Sequence, residues 1–409
     1  MFFKSIVAAA ASLATLSAAA PTAHRASGEV IPGSYIIRLK DNVKTDTHLS
    51  WANGIHARSA GKDDFSGILR EFKGHSFHGY SGHFDKDTIA KIDASDEVAY
   101  VEPDRVWYLD DFIVSKPKAK REPTTQSPAP WGLAAITHRE PGATEYPHDS
   151  AAGEGAFAYV VDSGIRVSHR EFEGRASNGW TAYEGKVEDT SGHGTHVAGT
   201  IGGVTFGVAK KANLISVKVF EGRETATSII IAGFDWAVSD IISNGRQNNA
   251  VINMSLGGPK TQAWNDAIDK AFSEGVLCVV AAGNYKVDAK DTSPASAPSS
   301  FTVGAVNENW EIVTNWDNGQ GSNFGAVLDI FAPGDNIESA SFKNDEGSLI
   351  MGGTSMACPH VAGMALYAMT VNGVQGAQAV TDHLLKNAGQ DVVRGPIYDS
   401  PNRMANLGN

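Results

Sequence analysis

The sequence predicts an α/β domain with a mainly parallel sheet, preceded by a smaller domain of different composition. Two observations lead to this prediction. From Trp131 onward, short apolar runs alternate with patterns typical of helices, which indicates strands joined by helical crossovers. Before Trp131 the chain has its own strand and helix patterns and ends in a segment rich in Lys, Pro and Thr, which is typical of a linker.

The first 20 residues predict a secretory signal peptide. Lys4 precedes an apolar run from Ser5 to Ala20 that ends in small residues, as at a signal cleavage site. The run is too short and too rich in Ala for a membrane span, and no later stretch is apolar enough. A buried N-terminal helix is the alternative, but we expect a secreted protein without a membrane partner.

The smaller domain is predicted from three patterns. Residues 34–41 form a strand-like run, and residues 85–95 have the apolar spacing of an amphipathic helix. Residues 98–109 alternate like strands that are broken at Pro103. A linker follows from residue 115 to residue 130.

Six apolar runs predict the strands of the larger domain, and they cover residues 156–162, 213–220, 249–258, 276–284, 301–307 and 328–334. Such runs suit parallel strands that are covered on both faces. Residues 261–275 predict an amphipathic helix that ends at Gly275. In sheets of this kind, ligands bind beyond the carboxyl ends of the strands.

Composition excludes several classes of protein. The 409-residue chain has a formal net charge of −12, which disfavours a nucleic-acid partner. Cys278 and Cys358 are its only cysteines, too few for a disulfide scaffold or a thiolate zinc cluster.

Four polar residues stand at predicted strand ends or helix starts. Asp162 and Asn284 follow strands, while His193 and Ser355 open helical runs. Taken singly, Asp162 and Ser355 could be helix N-caps and Asn284 a turn residue. His193 and His196 could suggest zinc, but the chain has no HExxH or CxxC motif.

Together the four residues supply an acid, a base, a hydroxyl nucleophile and an amide donor. A serine hydroxyl is a poor nucleophile near neutral pH, so it needs a base. The chain order Asp, His, Ser is that of the subtilisin arrangement, and it differs from the orders in chymotrypsin and in α/β-hydrolases. An esterase of the α/β-hydrolase type is therefore disfavoured.

The segments VVDSGI, GHGTHVAGT, NMSLGG, VAAGN and GGTSMACPHVAG resemble the signature segments of subtilisin-like serine proteases. The spacing resembles the proteinase K branch of secreted fungal enzymes, from Trp131 to about Asn387. Residues 35–109 are similar to the inhibitory propeptide of that family, a two-helix, four-stranded α+β domain.

The resemblance implies a three-layer α/β/α catalytic domain and a self-inhibited zymogen. It divides the chain into a signal peptide (residues 1–20), a ferredoxin-like propeptide (residues 21–121, ordered from about 34 to 110) and a catalytic domain (residues 122–409). The mature N-terminus would lie within the linker, where Lys120-Arg121 offers a dibasic site.

The resemblance also implies roles for the site residues. Ser355 would be the nucleophile, His193 the general base, and Asp162 the residue that orients His193. The Asn284 side chain and the Ser355 backbone N–H would bind the oxyanion, and Ser255, Leu256, Gly257 and Gly258 would form the substrate-binding strand. An inactive homologue is disfavoured because all four catalytic positions are filled.

A calcium ion is implied as a structural cofactor, held by the carbonyl oxygens of Pro298 and Ser300 and by Asp329, while the chemistry itself needs no cofactor. Cys278 and Cys358 are expected to be buried thiols rather than a disulfide. Asn253 begins a glycosylation sequon, but its position inside an apolar strand makes a glycan there doubtful. We expect a monomeric endopeptidase of broad specificity.

Overall fold

The computed structural model describes residues 28–59, 63–109, 112–115, 125–316 and 319–408. The predicted signal peptide and the dibasic pair of the linker lie outside the described residues. Among the helices of the described part, none is long and apolar enough to cross a membrane.

The smaller domain has four strands and two helices, as the sequence predicts. Its elements are β1 (Val30–Leu39), α1 (Thr45–His56), β2 (Gly67–Phe72), β3 (Gly79–His83), α2 (Lys86–Asp93) and β4 (Val98–Tyr108). The strands form an antiparallel sheet in the order β4-β1-β3-β2. Ile92 of α2 and Ala52 of α1 pack on Ile37 and Tyr80 of the sheet, and these side chains are fully buried.

The predicted break at Pro103 is wrong, because β4 is one strand of 11 residues. Pro103 lies opposite Tyr35, next to a shift in the register between β4 and β1. Within the described residues, the other side of β4 is paired only along Val106–Tyr108. At Pro103 the strand is therefore a sheet edge, where the missing N–H of proline is tolerated.

The described residues from Phe112 onward form the α/β domain. Its strands are β5 (Phe112–Ser115), β6 (Thr125–Gln126), β7 (Tyr146–Pro147), β8 (Phe157–Asp162), β9 (Ala176–Thr181), β10 (Asn213–Lys218), β11 (Glu224–Ala226), β12 (Ala250–Met254), β13 (Gly258–Pro259), β14 (Leu277–Ala281), β15 (Thr292–Ser293), β16 (Phe301–Val306), β17 (Ile330–Pro333), β18 (Ile337–Ala340), β19 (Ser348–Gly352), β20 (Gly389–Gln390) and β21 (Arg403–Met404). Its helices are α3 (Trp131–Ala135), α4 (His193–Gly202), α5 (Thr227–Ser243), α6 (Gln262–Ser273), α7 (Thr354–Thr370) and α8 (Ala377–Asn387).

Nine of these strands form the central sheet, in the order β20-β21-β17-β16-β14-β12-β8-β10-β9. Every neighbouring pair is parallel except β20 and β21. All six predicted strands are among the nine. The sequence missed β9 because its ASNGWT segment is polar and largely exposed at the sheet edge.

Helices cover both faces of the sheet, which confirms the three layers. Strand β8 shows the arrangement, since Val160 joins the core beneath α4, α7 and α8, while Tyr159 and Val161 join the core beneath α5 and α6. Alternate residues of a strand point to opposite faces, and here both faces are buried.

The same alternation explains the two cysteines. Cys278 of β14 points into the core beneath α5 and α6, and Cys358 of α7 lies in the core on the other face. Both thiols are free and buried, as predicted, because the sheet separates them.

Candidate active site

The four candidate residues lie at the carboxyl edge of the central sheet. Asp162 is the last residue of β8, and Asn284 follows β14 by three residues. His193 begins α4, and Ser355 is the second residue of α7. Helices α4 and α7 pack against each other beneath this edge.

Asp162 and His193 form a buried pair. The Nδ1 atom of His193 lies 2.8 and 2.9 Å from the two carboxylate oxygens of Asp162, and both side chains are fully buried. The backbone N–H of Ser163 donates to Asp162 Oδ1 at 2.7 Å. A carboxylate only accepts hydrogen bonds, so the proton of the imidazole is on Nδ1, and Nε2 is the atom that can accept a further proton.

Glycines on both sides of His193 allow close approach of the backbone. A Cβ on Gly192 would lie 2.3 Å from the Phe342 ring, and a Cβ on Gly194 would lie 2.2 Å from the carbonyl oxygen of Gly164. Gly192 also has a φ of +94°. The start of α4 can therefore fit against the loop that follows β8, which sets the position of His193.

Asp189 is a site residue that sequence reasoning missed. Its Oδ1 accepts from the N–H groups of Ser191 and Gly192 and from the Ser163 hydroxyl, at 3.1, 2.7 and 2.8 Å. Its Oδ2 accepts from the N–H and hydroxyl of Thr195 at 2.9 and 2.6 Å. Asp189 therefore caps the helix that begins at His193 and ties it to the residue after Asp162. The only sign of this role in the sequence is the presence of an aspartate four residues before His193.

His196 has a structural role. Its Nε2 lies 2.9 Å from the carbonyl oxygen of Ile337 and 3.1 Å from that of Leu349. Burial lowers the pKa of His196 to about 3, so the ring is neutral and donates to these carbonyls. His196 thus joins α4 to strands β18 and β19.

Ser355 and Ser255 hold each other through reciprocal hydrogen bonds. The Ser355 hydroxyl donates to the carbonyl oxygen of Ser255 at 3.2 Å, and the Ser255 hydroxyl donates to the carbonyl oxygen of Ser355 at 2.7 Å. The Asn253 amide donates to the Ser255 hydroxyl at 3.0 Å. Asn253, the first residue of the sequon, is fully buried in this network.

Thr354 fixes the orientation of the Asn284 amide. The N–H and hydroxyl of Thr354 donate to Asn284 Oδ1 at 2.9 and 2.8 Å, and the hydroxyl accepts from the N–H of Gly283 at 3.0 Å. Because both donors contact the same atom, that atom is the amide oxygen Oδ1. The amide nitrogen Nδ2 is therefore on the side of the amide that faces away from Thr354. Sequence analysis missed this residue, although it directly precedes Ser355.

A small cavity of about 10 Å³ connects the predicted substrate strand with the nucleophile. Its walls include Ser255, Leu256, Gly257, Asn284 and Ser355, and Tyr108 of the smaller domain closes one side. A Cβ on Gly257 would have no neighbour nearer than 3.9 Å, so this position leaves room for a substrate. A Cβ on Gly258 would lie 2.9 Å from the Trp107 ring. The absence of a side chain at this position therefore leaves space for the Trp107 indole.

The smaller domain covers the cleft by binding the starts of two helices. Glu102 accepts from the N–H groups of Gln262 and Ala263 at 2.9 and 3.0 Å, at the start of α6. Asp104 accepts from the N–H and hydroxyl of Ser228 at 3.1 and 2.5 Å, at the start of α5. Free N–H groups and the helix dipole favour a carboxylate at both places.

The end of β4 is paired with the catalytic domain. Val106, Trp107 and Tyr108 pair with β11 in antiparallel register, and the N–H of Leu109 donates to the carbonyl oxygen of Arg223 at 3.0 Å. Strand β11 thus becomes the fifth strand of the smaller domain's sheet. An extended segment of the smaller domain is therefore added to a strand of the catalytic domain by main-chain pairing.

The fold and the site define a class of protein, the serine protease with an inhibitory N-terminal domain, and the comparisons with known proteins agree. Residues 153–403 match the subtilase family (Peptidase S8), and residues 34–110 match the peptidase inhibitor I9 family. The chain belongs to the subtilase family. This membership excludes the α/β-hydrolase alternative.

Its relatives are fungal proteases. The chain is 49% identical to alkaline protease 1 of Aspergillus flavus, over 94% of each chain. It is 47% identical to the alkaline proteinase of Hapsidospora chrysogena, over 96% of this chain and 95% of the relative. Among solved structures, a cold-adapted subtilisin-like serine proteinase is 37% identical, with a TM-score of 0.61, and covers 69% of this chain and 99% of its own.

Proposed function

We propose that Ser355, His193 and Asp162 are the catalytic triad of a secreted endopeptidase with broad specificity. The observation that carries this assignment is the buried Asp162–His193 pair, which leaves Nε2 of the imidazole as the basic atom. The apolar Ser5–Ala20 run supports secretion. N-terminal sequencing of protein from the culture medium tests secretion, and a fluorophosphonate probe that labels Ser355 tests the nucleophile.

The mechanism follows from these positions. His193 Nε2 takes the proton of the Ser355 hydroxyl as Oγ attacks the carbonyl carbon of the scissile bond. The Asn284 amide and the Ser355 N–H donate to the oxyanion that forms. His193 then protonates the leaving amine, and water hydrolyses the acyl-enzyme through the same steps. Asp162 stabilises the imidazolium in both halves of the reaction.

The Asn284→Ala variant should keep its affinity for substrate and lose about 10²–10³ in kcat, the magnitude reported for the corresponding residue of subtilisin itself. Thr354→Val should lose about fivefold in kcat, because one orienting hydrogen bond is worth about 1 kcal/mol. The double variant should be no slower than Asn284→Ala, since Thr354 would act through Asn284. Steady-state kinetics on a peptide substrate measures this, and an effect on KM alone would remove Asn284 from the oxyanion site.

We propose that the substrate backbone lies between Ser255–Gly258 and strand β11 (Glu224–Ala226). The smaller domain occupies this place in the precursor, with the Trp107 ring against Gly258 and the Trp107 Nε1–H donating to the Thr227 hydroxyl at 2.7 Å. The open position at Gly257 supports the acceptance of varied side chains. A cleavage profile on a peptide library measures that breadth.

We propose one structural calcium ion at Asp329 and the carbonyl oxygens of Pro298 and Ser300. The residues fit such an ion, because all three donors are oxygen atoms, which calcium prefers. Ser300 is tied to Thr302 by a hydroxyl contact of 2.9 Å, and the Thr302 N–H donates to Asp329 Oδ2 at 2.7 Å. Ser300 and Asp329 are therefore linked through Thr302, and Pro298 lies two residues before Ser300 in the chain. The ion would stabilise this turn and take no part in the chemistry.

The increase in thermal stability that calcium gives should depend on pH. Burial raises the pKa of Asp329 to about 6, from an ordinary value of 3.8. Without calcium, the group's contribution to stability is fully present below pH 3.8 and is lost as the pH rises through 6. Calcium needs the carboxylate, so the increase in Tm that calcium gives should be large above pH 6 and small below it.

Thermal melts of the EDTA-treated protein, with and without calcium, measure this difference. Asp329→Asn is the matched variant, and calcium should not raise its Tm at either pH. EDTA should lower the Tm and leave the initial rate at room temperature unchanged. A complete and immediate loss of activity would instead indicate a catalytic metal.

A further inference from the structure

Helix α7 contains a proline one turn after Ser355. In an α-helix, the carbonyl oxygen of each residue accepts from the N–H of the residue four positions later. For Ser355 that residue is Pro359, which lies inside α7 and has no N–H. The proline ring also crowds the carbonyl of the residue four positions before it. The regular helical hydrogen bond to the Ser355 carbonyl therefore cannot form.

The Ser255 hydroxyl donates to this carbonyl instead. The distance is 2.7 Å, and the Ser255 side chain is fully buried. Ser255 directly follows β12, so the bond joins the start of α7 to the carboxyl end of a central strand. A second bond has the opposite direction, because the Ser355 hydroxyl donates to the Ser255 carbonyl at 3.2 Å. Ser255 thus contacts both the backbone and the hydroxyl of Ser355.

Buried donors set the direction of the Ser255 bond. A hydroxyl has one proton and a carbonyl only accepts, so Ser255 Oγ donates to Ser355 and accepts from Asn253. The Asn253 atom that lies 3.0 Å from Ser255 Oγ is therefore the amide nitrogen. Asn253 Oδ1 lies 3.3 Å from the Cys358 thiol, which is at the same distance from the Val279 carbonyl. Burial raises the pKa of the Cys358 thiol, so it keeps its proton and donates to these acceptors.

This chain of hydrogen bonds begins and ends at the start of α7, since Cys358 and Ser355 are three residues apart. We propose that Ser255 is a positioning residue for the nucleophile, and that its hydroxyl replaces the hydrogen bond that Pro359 cannot donate. Asn253 and Cys358 direct this hydroxyl. The bond holds the nucleophile in place relative to the general base, which lies on a different helix. The inference rests on the proposed role of Ser355.

Ser255→Ala tests the positioning role. It removes the hydroxyl and keeps the backbone of the proposed substrate strand, so kcat should fall about tenfold while KM stays within about twofold. The rate of labelling by a fluorophosphonate should fall by the same factor, because the probe reacts with the same hydroxyl. An increase in KM at normal kcat, or a fall in Tm at normal kcat, would overturn the proposal.

Ser339→Ala is the matched control. The Ser339 hydroxyl is fully buried and donates to the carbonyl oxygen of His196 in α4 at 2.8 Å. This variant loses the same kind of bond at another helix, so its Tm should fall and its kcat should stay within about twofold. A loss of kcat equal to that of Ser255→Ala would show a general effect of lost buried hydrogen bonds, and would overturn the positioning role.

Pro359→Ala tests the replacement directly. Alanine supplies the missing N–H, so the Ser355 carbonyl then has a donor within the helix. In this background, Ser255→Ala should lower kcat by less than about threefold, because the two donors serve one acceptor. A loss of about tenfold in both backgrounds would show that the two residues act independently, and would refute the replacement.

Two Cys358 variants keep the proposal testable if Ser255→Ala does not fold. Cys358→Ser keeps a donor and should leave kcat within about twofold, whereas Cys358→Ala removes the donor and should lower kcat by about threefold or more at constant KM. Equal kcat values for the two variants would overturn the hydrogen-bond chain. Failure of the proposed function is a separate outcome, because fluorophosphonate labelling of a Ser355→Ala protein at the active site would refute the nucleophile itself.

Discussion

The Ser355→Ala precursor should fold and remain a single uncut chain. The Ser355 hydroxyl makes one 3.2 Å hydrogen bond to the Ser255 carbonyl, so its removal should cost about 1 kcal/mol of stability or less. Activity should fall by about 10⁶-fold, the loss measured for this change in subtilisin itself. Gel analysis of the secreted protein and fluorophosphonate labelling measure both effects.

Ser273→Ala is the matched control. The Ser273 hydroxyl donates to the Lys270 carbonyl at the end of α6 and is exposed, so this variant should cleave itself and accept the probe normally. An uncut Ser273→Ala precursor would show that serine loss in general impairs processing. A Ser355→Ala precursor that still cleaves itself in the absence of other proteases would place the nucleophile elsewhere.

The Ser355→Ala variant also allows binding of the propeptide to the catalytic domain to be measured. When an added protease cuts the linker of Ser355→Ala, the propeptide should stay bound through Glu102 and Asp104, which contact the starts of α6 and α5. Size-exclusion chromatography should then show a complex of the two fragments. Separately expressed propeptide should also inhibit the mature wild-type enzyme.

Much of the fold could be predicted from the sequence because its signals are local. The six apolar runs predict strands by themselves, since a strand covered on both faces needs apolar residues at every position. Strand β9 carries no such run, because it lies at an exposed edge. Pro103 misled the prediction because its effect depends on whether the strand has a partner on both sides, which is a property of the assembled sheet.

The residues of the candidate site also fall into those with a local sequence signal and those without one. Asp162, His193, Asn284 and Ser355 are candidates from the sequence alone because they lie in distinctive motifs at strand ends or helix starts. The importance of Asp189 and Thr354 lies in hydrogen bonds to groups that are distant in the sequence, such as the bond of Asp189 to Ser163 and that of Thr354 to Asn284. The pairings of β4 with β11 and of β5 with β19 likewise join segments more than 100 residues apart.

The Asp162→Asn variant should lose about 10⁴ in kcat, as the equivalent change does in a chymotrypsin-like protease. The geometry explains why an amide cannot replace this carboxylate. The Ser163 N–H donates to Oδ1 at 2.7 Å, so the amide oxygen would stay there and the amide nitrogen would face His193 Nδ1. An amide nitrogen only donates, so at the Oδ2 position, 2.9 Å from Nδ1, it would favour the tautomer that accepts at Nδ1 and carries its proton on Nε2, the atom that must receive the proton of Ser355.

Asp240→Asn is the control for this change. Asp240 binds the hydroxyl of Tyr159, a residue of the same strand β8, on the opposite face of the sheet. Its replacement changes a carboxylate to an amide near β8 without touching His193, so kcat should stay within about twofold while Tm falls by a few degrees. The rate of precursor self-cleavage and kcat on a peptide substrate, each compared with Tm, separate the two roles. If Asp162→Asn lost less than tenfold in kcat, the orientation of His193 would not depend on this carboxylate.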